Sequence, residues 1–281
     1  MSAARDFLRA ELEREYSAWF GLPPRPFLDG VVEAWMADDT NSKHRFDTIE
    51  AALPSAKRIL DMASGCGSAV FYGLLHGYDM VGIDPEGWKH TFNGMKAKER
   101  GYPAEWMSRF HDGVGEALPF PDDDFDCVTS YQTIEHVQDV DRVLAEVVRV
   151  TRAGGGIHLR CPDYRGTFEG HYRVPWLPLF PRPLARAYLR AIGKPTAGLD
   201  TIQYITKGRV VRVLRDLEAR RPGLRLRIVD LDREAFSSGR QRLPGEFSWW
   251  KAKRYARGLF REETSVNLFV YVEAKGTKGR P

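Results

Sequence analysis

Apolar positions recur along this chain with two different spacings, and each spacing predicts a kind of element. From Ala3 to Phe20 they recur every three or four residues, as in an amphipathic helix. The run G-L-P-P-R-P breaks that pattern, and a second helical pattern extends over residues 29–53, closed by Pro54. Residues 1–54 are therefore predicted to be a helical cap, and for Lys43 and Arg45 within it a solvated helix face is favoured over a ligand-facing one.

From Lys57 onward, short apolar runs alternate regularly with helical patterns. The predicted strands cover residues 59–60, 80–83, 109–111, 127–131 and 157–161, and the helices between them cover 69–76, 88–100 and 139–151. A helix at 210–220 and strands at 224–231 and 266–274 follow. Such a series predicts an α/β fold with a parallel sheet, in which ligands bind outside the carboxyl ends of the strands.

A small-residue loop follows the first of these strands, in the sequence D-M-A-S-G-C-G-S from Asp61 to Ser68. Glycine lets the backbone approach a ligand closely, and the following helix offers unpaired N–H groups. Asp84 ends the next strand, at the place where a carboxylate can accept ribose hydroxyls. The third glycine of the dinucleotide fingerprint is absent and an acidic residue precedes the loop, so a nicotinamide cofactor is disfavoured.

Composition narrows the class of protein. The chain has 281 residues with 43% hydrophobic and 28% charged residues, enough for a full core. No stretch is apolar enough for a membrane span and the N-terminus is too acidic for a signal peptide, so we expect a soluble, cytoplasmic protein. The three cysteines have no metal or disulfide spacing, and we expect them to be reduced. A net charge of +4 does not by itself indicate nucleic-acid binding.

Three further motifs follow in order after the glycine loop. They are G-E-A-L-P-F-P-D-D-D-F-D-C-V-T-S at 115–130, I-E-H-V-Q-D-V at 134–140 and R-V-T-R-A-G-G-G at 149–156. Together with the loop they resemble the class I S-adenosylmethionine-dependent methyltransferases, particularly the small-molecule group that includes the ubiquinone-biosynthesis enzymes. The resemblance covers residues 57–162. It implies a Rossmann-like sheet of seven mostly parallel strands, the last antiparallel, with helices on both faces.

The resemblance also implies a domain organisation and a cofactor site. Residues 55–281 would be the methyltransferase domain, with a substrate-side lid at 163–205 and an insertion at 233–263. S-adenosylmethionine would be held in three parts: its methionine end by Asp61, Ala63, Gly65 and Gly67, its ribose by Asp84, and its adenine by Asp112, Val114 and Gly115. Ser130, Tyr131 and Gln132 would face cofactor and acceptor together. Ala63 stands where the family has its first loop glycine, which is tolerable if this residue keeps ordinary dihedral angles.

Methyl transfer mainly requires alignment of the reacting atoms, and a hydroxyl acceptor also benefits from a base near neutral pKa. His136 is well placed for that role, His171 in the lid is a rival, and for His136 a packing or hydrogen-bonding role is the alternative. Some related O-methyltransferases carry E-x-x-E-H here and use it for a divalent cation. Because Gln132 replaces a carboxylate of that motif, we predict no metal.

The acceptor is the least constrained part of the prediction. Tyr131 and the lid residues Tyr164, Glu169, Tyr172 and Arg173 are predicted to contact it, and the alternative is that the lid residues only hold the lid closed. The sequence S-Y-Q-T after the fourth strand lacks the [DNS]-P-P-[YF] motif of base and amide methylation. No nucleic-acid partner is therefore expected, and the oligomeric state stays open.

Two basic, apolar stretches lie on the predicted substrate side. Arg182, Arg186, Arg190 and Lys194 recur every four residues, and a second stretch covers 249–261. Each could bind an anionic membrane surface at the inner face of the membrane, bind a phosphate-bearing acceptor, or face solvent. The sequence favours methylation of a hydroxyl on a sugar, glycan, lipid-linked or other small-molecule acceptor. Carbon or nitrogen methylation of a small aromatic metabolite, and cofactor binding without catalysis, are the alternatives.

Overall fold

A computed structural model describes residues 2–40, 42–237 and 265–274 of the chain. Most of the predicted insertion at 233–263 and all of the second basic stretch at 249–261 lie outside the described residues. Within the described parts, no helix is both long and apolar enough to cross a lipid bilayer. Cys66, Cys127 and Cys161 are buried and unbridged.

Helices and strands alternate through the central part of the chain. The helices are α1 (Ala3–Trp19), α2 (Arg25–Met36), α3 (Ser42–Ala52), α4 (Ser68–Leu75), α5 (Gly87–Arg100), α6 (Val140–Val150), α7 (Arg182–Ala191), α8 (Lys207–Arg220) and α9 (Leu231–Ser237). The strands are β1 (Arg58–Met62), β2 (Asp79–Ile83), β3 (Phe110–His111), β4 (Phe125–Tyr131), β5 (Thr151–Pro162), β6 (Phe168–Glu169), β7 (Val174–Pro175), β8 (Leu224–Asp230) and β9 (Ser265–Ala274). Short 3-10 helices cover Ala104–Arg109 and Ala197–Thr201.

Seven strands form one sheet in the order β3-β2-β1-β4-β5-β9-β8. The strands from β3 to β5 are parallel, while β9 runs antiparallel to both β5 and β8. The predicted Rossmann-like sheet with an antiparallel last strand is confirmed. This order makes β1 and β4 neighbours at the centre of the sheet, so the loops at their carboxyl ends open side by side.

Both faces of the central strands β1 and β2 are buried, which explains their short apolar runs. Leu60 belongs to the large core cluster on one face, with Val143 and Leu214 of α6 and α8. Ile59 points the opposite way and packs with Phe46 of α3 and Val70 of α4. The glycine loop is thereby anchored between two packed layers.

The cap is built differently from its prediction in one respect. The helical pattern predicted over 29–53 is two helices, because α2 ends at Met36 and α3 begins at Ser42. Asp38 lies in the break, where its carboxylate accepts a hydrogen bond from Tyr102 Oη at 2.5 Å and pairs with Lys96 Nζ at 2.5 Å. These partners belong to a distant part of the chain, so helical periodicity could not indicate the break.

The lid residues form a small core of their own beside the sheet. Strands β6 and β7 pair antiparallel, and a cluster of buried side chains joins this hairpin to α7. The cluster includes Tyr164, Tyr172, Trp176, Phe180, Leu189 and Leu199. Phe20, which follows α1, packs against the cluster, so the lid is fixed to the cap.

Candidate active site

The loop between β1 and α4 bends through three left-handed backbone positions. Ala63 has φ 59°, Gly65 φ 53° and Gly67 φ 70°. A Cβ on Gly67 would also lie 2.9 Å from Asn93 Oδ1 and from the Phe110 ring, whereas a Cβ on Gly65 would meet nothing within 4 Å. Ala63 thus does not keep the ordinary dihedral angles that its tolerance was expected to require, and its conformation costs about 1–2 kcal/mol.

Asp61 is paired with a cation of the protein itself. Its carboxylate Oδ1 accepts hydrogen bonds from Arg45 Nη1 at 2.5 Å and from Thr129 Oγ1 at 2.8 Å. Burial raises the pKa of Asp61, and the Arg45 guanidinium opposes that rise. The prediction of a solvated face is therefore wrong for Arg45, whose side chain is largely buried, whereas Lys43 is exposed and pairs with Asp47.

The Arg45 guanidinium also lies on the aromatic face of Tyr131, with its central carbon 3.9 Å from the ring centroid. The Tyr131 hydroxyl contacts the His158 imidazole, with Oη 3.0 Å from Nδ1. Burial lowers the pKa of His158 to about 3, so this imidazole is neutral at ordinary pH. Tyr131 is thus a fixed wall of the site.

Asp84 lies directly beneath the glycine loop. Its Oδ2 accepts from the Gly65 backbone N–H at 2.9 Å and its Oδ1 from the Glu86 backbone N–H at 3.0 Å, while Lys89 Nζ is 3.6 Å away. The side chain is almost completely buried. Asp84 therefore holds the loop in its conformation, and its predicted contact with a ribose stays a prediction.

Two carboxylates, Glu15 of the cap and Glu86, line a cavity beside the glycine loop. The sequence did not single them out. Both accept a hydrogen bond from Trp88 Nε1 at 2.9 Å. Burial, and then the charge of Glu86, raise the pKa of Glu15 to about 7. An acidic wall thus faces the cavity beside Lys89.

Two connected cavities open over the carboxyl ends of β1 and β4. The main cavity has a volume of about 680 Å³ and the side cavity about 410 Å³, and they share Trp35, Ala63, Gly65, Tyr131 and Gln132. Tyr16, Trp19, Phe20 and Phe27 of the cap add an aromatic wall to the main cavity. The spacing of these aromatic residues along and beyond α1 is the sequence signal from which the wall could have been predicted. Cavities of this size and lining suit small-molecule ligands.

Not all predicted contacts reach these cavities. Ser130 is completely buried, and Asp112, Val114 and Gly115 lie in the loop after β3 without lining either cavity. Tyr164 and Tyr172 pack in the lid core. Arg173 lies over the Phe27 ring, with its Cζ atom 3.8 Å from the ring centroid. These placements favour a lid-stabilising role for the two tyrosines.

His136 and His171, which the sequence offered as rival bases, lie in contact. Their Nε2 atoms are 3.0 Å apart, and both residues line the main cavity. His136 Nδ1 faces the Thr201 carbonyl oxygen at 3.1 Å, and His171 Nδ1 faces Glu169 Oε1 at 2.7 Å. Each Nδ1 has an acceptor opposite it and must therefore carry a proton.

The two Nε2 atoms face each other with room for one shared proton between them. Without it, two lone pairs would face each other at 3.0 Å, and with it the contact is a hydrogen bond. Burial, and then the charge of His171, lower the pKa of His136 to about 4. Above that pH the His136 imidazole is therefore neutral, and its Nε2 can accept a proton.

Glu135 adds a carboxylate to the same place. Ligand atoms of Glu135, His136 and His171 all lie within 4.8 Å of one another. Two imidazoles and one carboxylate are a donor set that suits divalent transition metals. The amide of Gln132 was the reason to predict no metal, and a lid histidine as a third donor was not visible in the motif.

The pocket fits the methionine and sulfonium end of the expected cofactor. Open space lies beside Gly65, and an aromatic wall and carboxylates suit a cation. One buried hydroxyl at the side cavity, Ser64 Oγ, also has no hydrogen-bond partner within the described residues. Buried polar atoms without partners mark places where a bound group can complete the hydrogen bonding.

A family model described as a methyltransferase domain matches residues 44–159. An uncharacterized methyltransferase of Mycobacterium sp. (strain JLS) is 32% identical over 139 residues, which are 48% of this chain and 52% of that protein. The demethylmenaquinone methyltransferase of Thermus thermophilus is 34% identical over 131 residues, 45% of this chain and 58% of that protein. Among solved structures, the YcgJ protein of Bacillus subtilis is similar, with a TM-score of 0.48 and 16% identity over 82% of this chain and 98% of that one.

The strand order, the glycine loop and its cavity define an α/β domain of the nucleoside-cofactor-binding type. Over residues 44–159 the chain is similar to methyltransferase domains, and its strand order agrees with the sheet expected of a class I S-adenosylmethionine-dependent methyltransferase. The chain spans little more than half the length of the curated relatives it matches. The matched region ends before the lid at 163–205.

Proposed function

We propose that the protein transfers the methyl group of S-adenosylmethionine to a hydroxyl oxygen of a small-molecule, glycan or lipid-linked acceptor. The observation that carries this proposal is the chain of Glu169, His171 and His136, which ends at the main cavity that also borders the glycine loop. A hydroxyl must lose its proton as it is methylated, and this chain provides a place for that proton.

The cofactor would be held by residues that the structure brings together at the ends of β1 and β4. Gly65 and Ala63 would contact its methionine part, with Tyr131 and Gln132 opposite them. When bound, S-adenosylmethionine supplies a methyl group that is already activated on a sulfonium. The aromatic wall of the cap would exclude water from that methyl group.

The histidine pair would act as one base. Glu169 orients His171 through Nδ1, the Thr201 carbonyl orients His136 through Nδ1, and both Nε2 atoms are left as the proton-accepting sites. The proton released by the acceptor would be shared between the two Nε2 atoms, with Glu169 as the balancing charge. Glu169 thus supports the reaction by positioning His171 rather than by contacting the acceptor.

The acceptor's body would lie against the aromatic wall. Tyr16, Trp19 and Phe20 of the cap line the main cavity opposite the glycine loop. Such a wall suits a flat or apolar group, and the histidine pair sets the position of its hydroxyl. The relative named demethylmenaquinone methyltransferase favours an alternative in which a ring carbon of a quinone-type acceptor is methylated.

A second mechanism for the same reaction is favoured by the proximity of Glu135. A divalent cation held by Glu135, His136 and His171 would lower the pKa of an acceptor hydroxyl and would replace the proton-sharing role of the pair. The two mechanisms differ in their response to chelators, which separates them experimentally.

Cofactor binding is the first test of this proposal. We expect saturating S-adenosylmethionine and S-adenosylhomocysteine to raise the melting temperature by about 5–10 °C, as for a ligand present at about 100 times its Kd. NAD should produce no shift. Stabilisation by NAD alone would overturn the proposal, and tight cofactor binding without any methylated product would favour a non-catalytic protein.

A further inference from the structure

Large exposed apolar side chains gather on the lid and on the adjoining end of the cap. They are Leu177 (59% exposed), Leu179 (47%), Leu184 (59%) and Ile192 (44%) of the lid, with Trp19 (42%) and Leu22 (57%) of the cap. We call these six side chains the lid surface. Single exposed apolar residues are ordinary, whereas an extended apolar surface favours an interaction site.

The helix α7 within this surface is apolar on two sides. Ala185 and Leu189 point inward and are fully buried in the lid core. On the outward side, Leu184, Ala187 and Ala191 are exposed. The inward side alone accounts for the packing of α7 on the domain, so the outward apolar side has no role in the described fold.

The two parts of the lid surface adjoin each other. A Cβ on Gly21, between Trp19 and Leu22, would lie 3.2 Å from the Pro195 side chain and 3.4 Å from that of Lys194. Pro195 follows Ile192 closely along the chain, so the end of the cap meets the end of the α7 segment. Trp19 also lines the main cavity, and the lid surface therefore extends to its mouth.

Cations, and no carboxylates, accompany the lid part of this surface along the chain. Between Glu169 and Asp200 the sequence contains no Asp or Glu. The predicted basic face of α7 is only partly available, because Arg182 donates to the carbonyls of Leu199 and Ile202, and Arg186 pairs with Asp200. The four predicted members of this face, Arg182, Arg186, Arg190 and Lys194, therefore do not act together as one basic face.

Two cations remain available beside the lid surface. Arg190 is exposed and Lys194 is half-buried, and neither forms an ion pair within the described residues. Apolar side chains flanked by unpaired cations complement a bilayer whose headgroups are anionic, because leucine and tryptophan enter the interface while arginine and lysine meet phosphate. A water-facing protein partner would not require that combination.

We propose that the lid surface docks on an anionic lipid bilayer, with Leu177, Leu179 and Leu184 inserted at the interface and Arg190 and Lys194 on the headgroups. Docking would turn the mouth beside Trp19 towards the lipid. An acceptor carried by the membrane could then enter the main cavity directly, and this last step alone rests on the proposed function.

Flotation with vesicles tests docking without any methyl-transfer assay. The full-length protein should float with vesicles of phosphatidylcholine and phosphatidylglycerol at about 3:1, and far less with phosphatidylcholine alone. The variant Leu184→Glu should lower the bound fraction at least tenfold, and Arg190→Glu by roughly fivefold. Leu75→Glu is the matched control, because Leu75 is 51% exposed on α4, outside the lid surface, and it should float like the wild type.

Four results would overturn this proposal. They are absence of flotation with either vesicle, equal flotation of Leu184→Glu and Leu75→Glu, and a melting temperature of Leu184→Glu several degrees below that of the wild type, which would show the side chain packed within the chain. The fourth is a wild-type dimer in sedimentation that Leu184→Glu converts to monomer, which would make the lid surface a contact between copies. Vesicle binding by a protein that transfers no methyl group would contradict only the proposed function.

Discussion

The Nη1 atom of Arg45 lies 2.5 Å from Oδ1 of Asp61, so the carboxylate near the carboxyl end of β1 is neutralised from within the protein. Both side chains are largely buried, at 13% and 4% exposure. Such a pair orders the floor of the side cavity, because the same guanidinium also lies against Tyr131. It leaves the acidic charge at the main cavity to Glu15 and Glu86.

Replacing Arg45 by methionine should destabilise the protein by about 3 kcal/mol, because the Asp61 carboxylate would stay buried without its partner. We expect the melting temperature to fall by about 6–12 °C. Lys43→Met is the control on the same helix, since the Lys43–Asp47 pair is exposed to solvent and its loss should leave the melting temperature almost unchanged. Equal melting temperatures for the two variants would show that the buried pair does not stabilise the site.

The two glycines of the loop should respond differently to alanine. Both have left-handed backbones, but only at Gly67 would a Cβ meet atoms at 2.9 Å. Gly65→Ala should therefore cost about 1–2 kcal/mol of folding free energy, and Gly67→Ala clearly more. Urea unfolding of both variants measures the difference, and a larger loss at Gly65 would contradict the loop geometry.

The raised pKa of Glu15 should make stability depend on pH. Its pKa is about 7 in the folded chain against an ordinary value of 4.5, so the folded state binds this proton more tightly than the unfolded state. The contribution of Glu15 to stability therefore falls as pH rises from about 4.5 to 7. Glu15→Gln should gain stability over the wild type at pH 8 relative to pH 4.5, by about 1–2 kcal/mol after allowance for its partial exposure.

Urea unfolding at the two pH values measures this change, with Glu13→Gln as the exposed control on the same helix. The control should show no such pH-dependent gain. A constant difference between Glu15→Gln and the wild type at both pH values would mean that Glu15 titrates normally.

Metal removal distinguishes the two mechanisms for acceptor activation. If the histidine pair acts by sharing a proton, treatment with a chelator followed by gel filtration should leave methyl transfer within about twofold of its starting rate. A loss of at least tenfold that manganese or zinc restores would instead assign Glu135, His136 and His171 to a cation. Elemental analysis of the purified protein gives the same answer independently of activity.

Local patterns were sufficient to predict the sheet and the glycine loop. The apolar runs around Ile59 and the position of Asp84 after the next strand are encoded within a few residues, and burial on both faces of the sheet enforces them. The contacts that complete the site are not local. Arg45 meets Asp61, and His136 meets His171, across separations that no periodicity records.

The structure of the lid, too, could be predicted from the sequence only in part. Its aromatic and basic residues could be recognised in the sequence, but their sorting into core and surface depends on tertiary packing. Tyr172 and Trp176 are buried, whereas Leu177, the residue directly after Trp176, is exposed. Arg182 and Arg190 share one helix, yet only the former is tied to backbone carbonyls.

Transfer of a labelled methyl group tests the central claim most directly. Full-length protein incubated with methyl-tritiated S-adenosylmethionine and a cell extract should place label in an acceptor product. His136→Gln and His171→Gln should each lower that transfer by about 100-fold or more while cofactor binding changes less than threefold, and His76→Gln, on the exposed end of α4, should have no effect. Full-rate transfer by both variants of the pair would contradict their role as the base, and absence of any labelled product with bound cofactor would contradict methyl transfer itself.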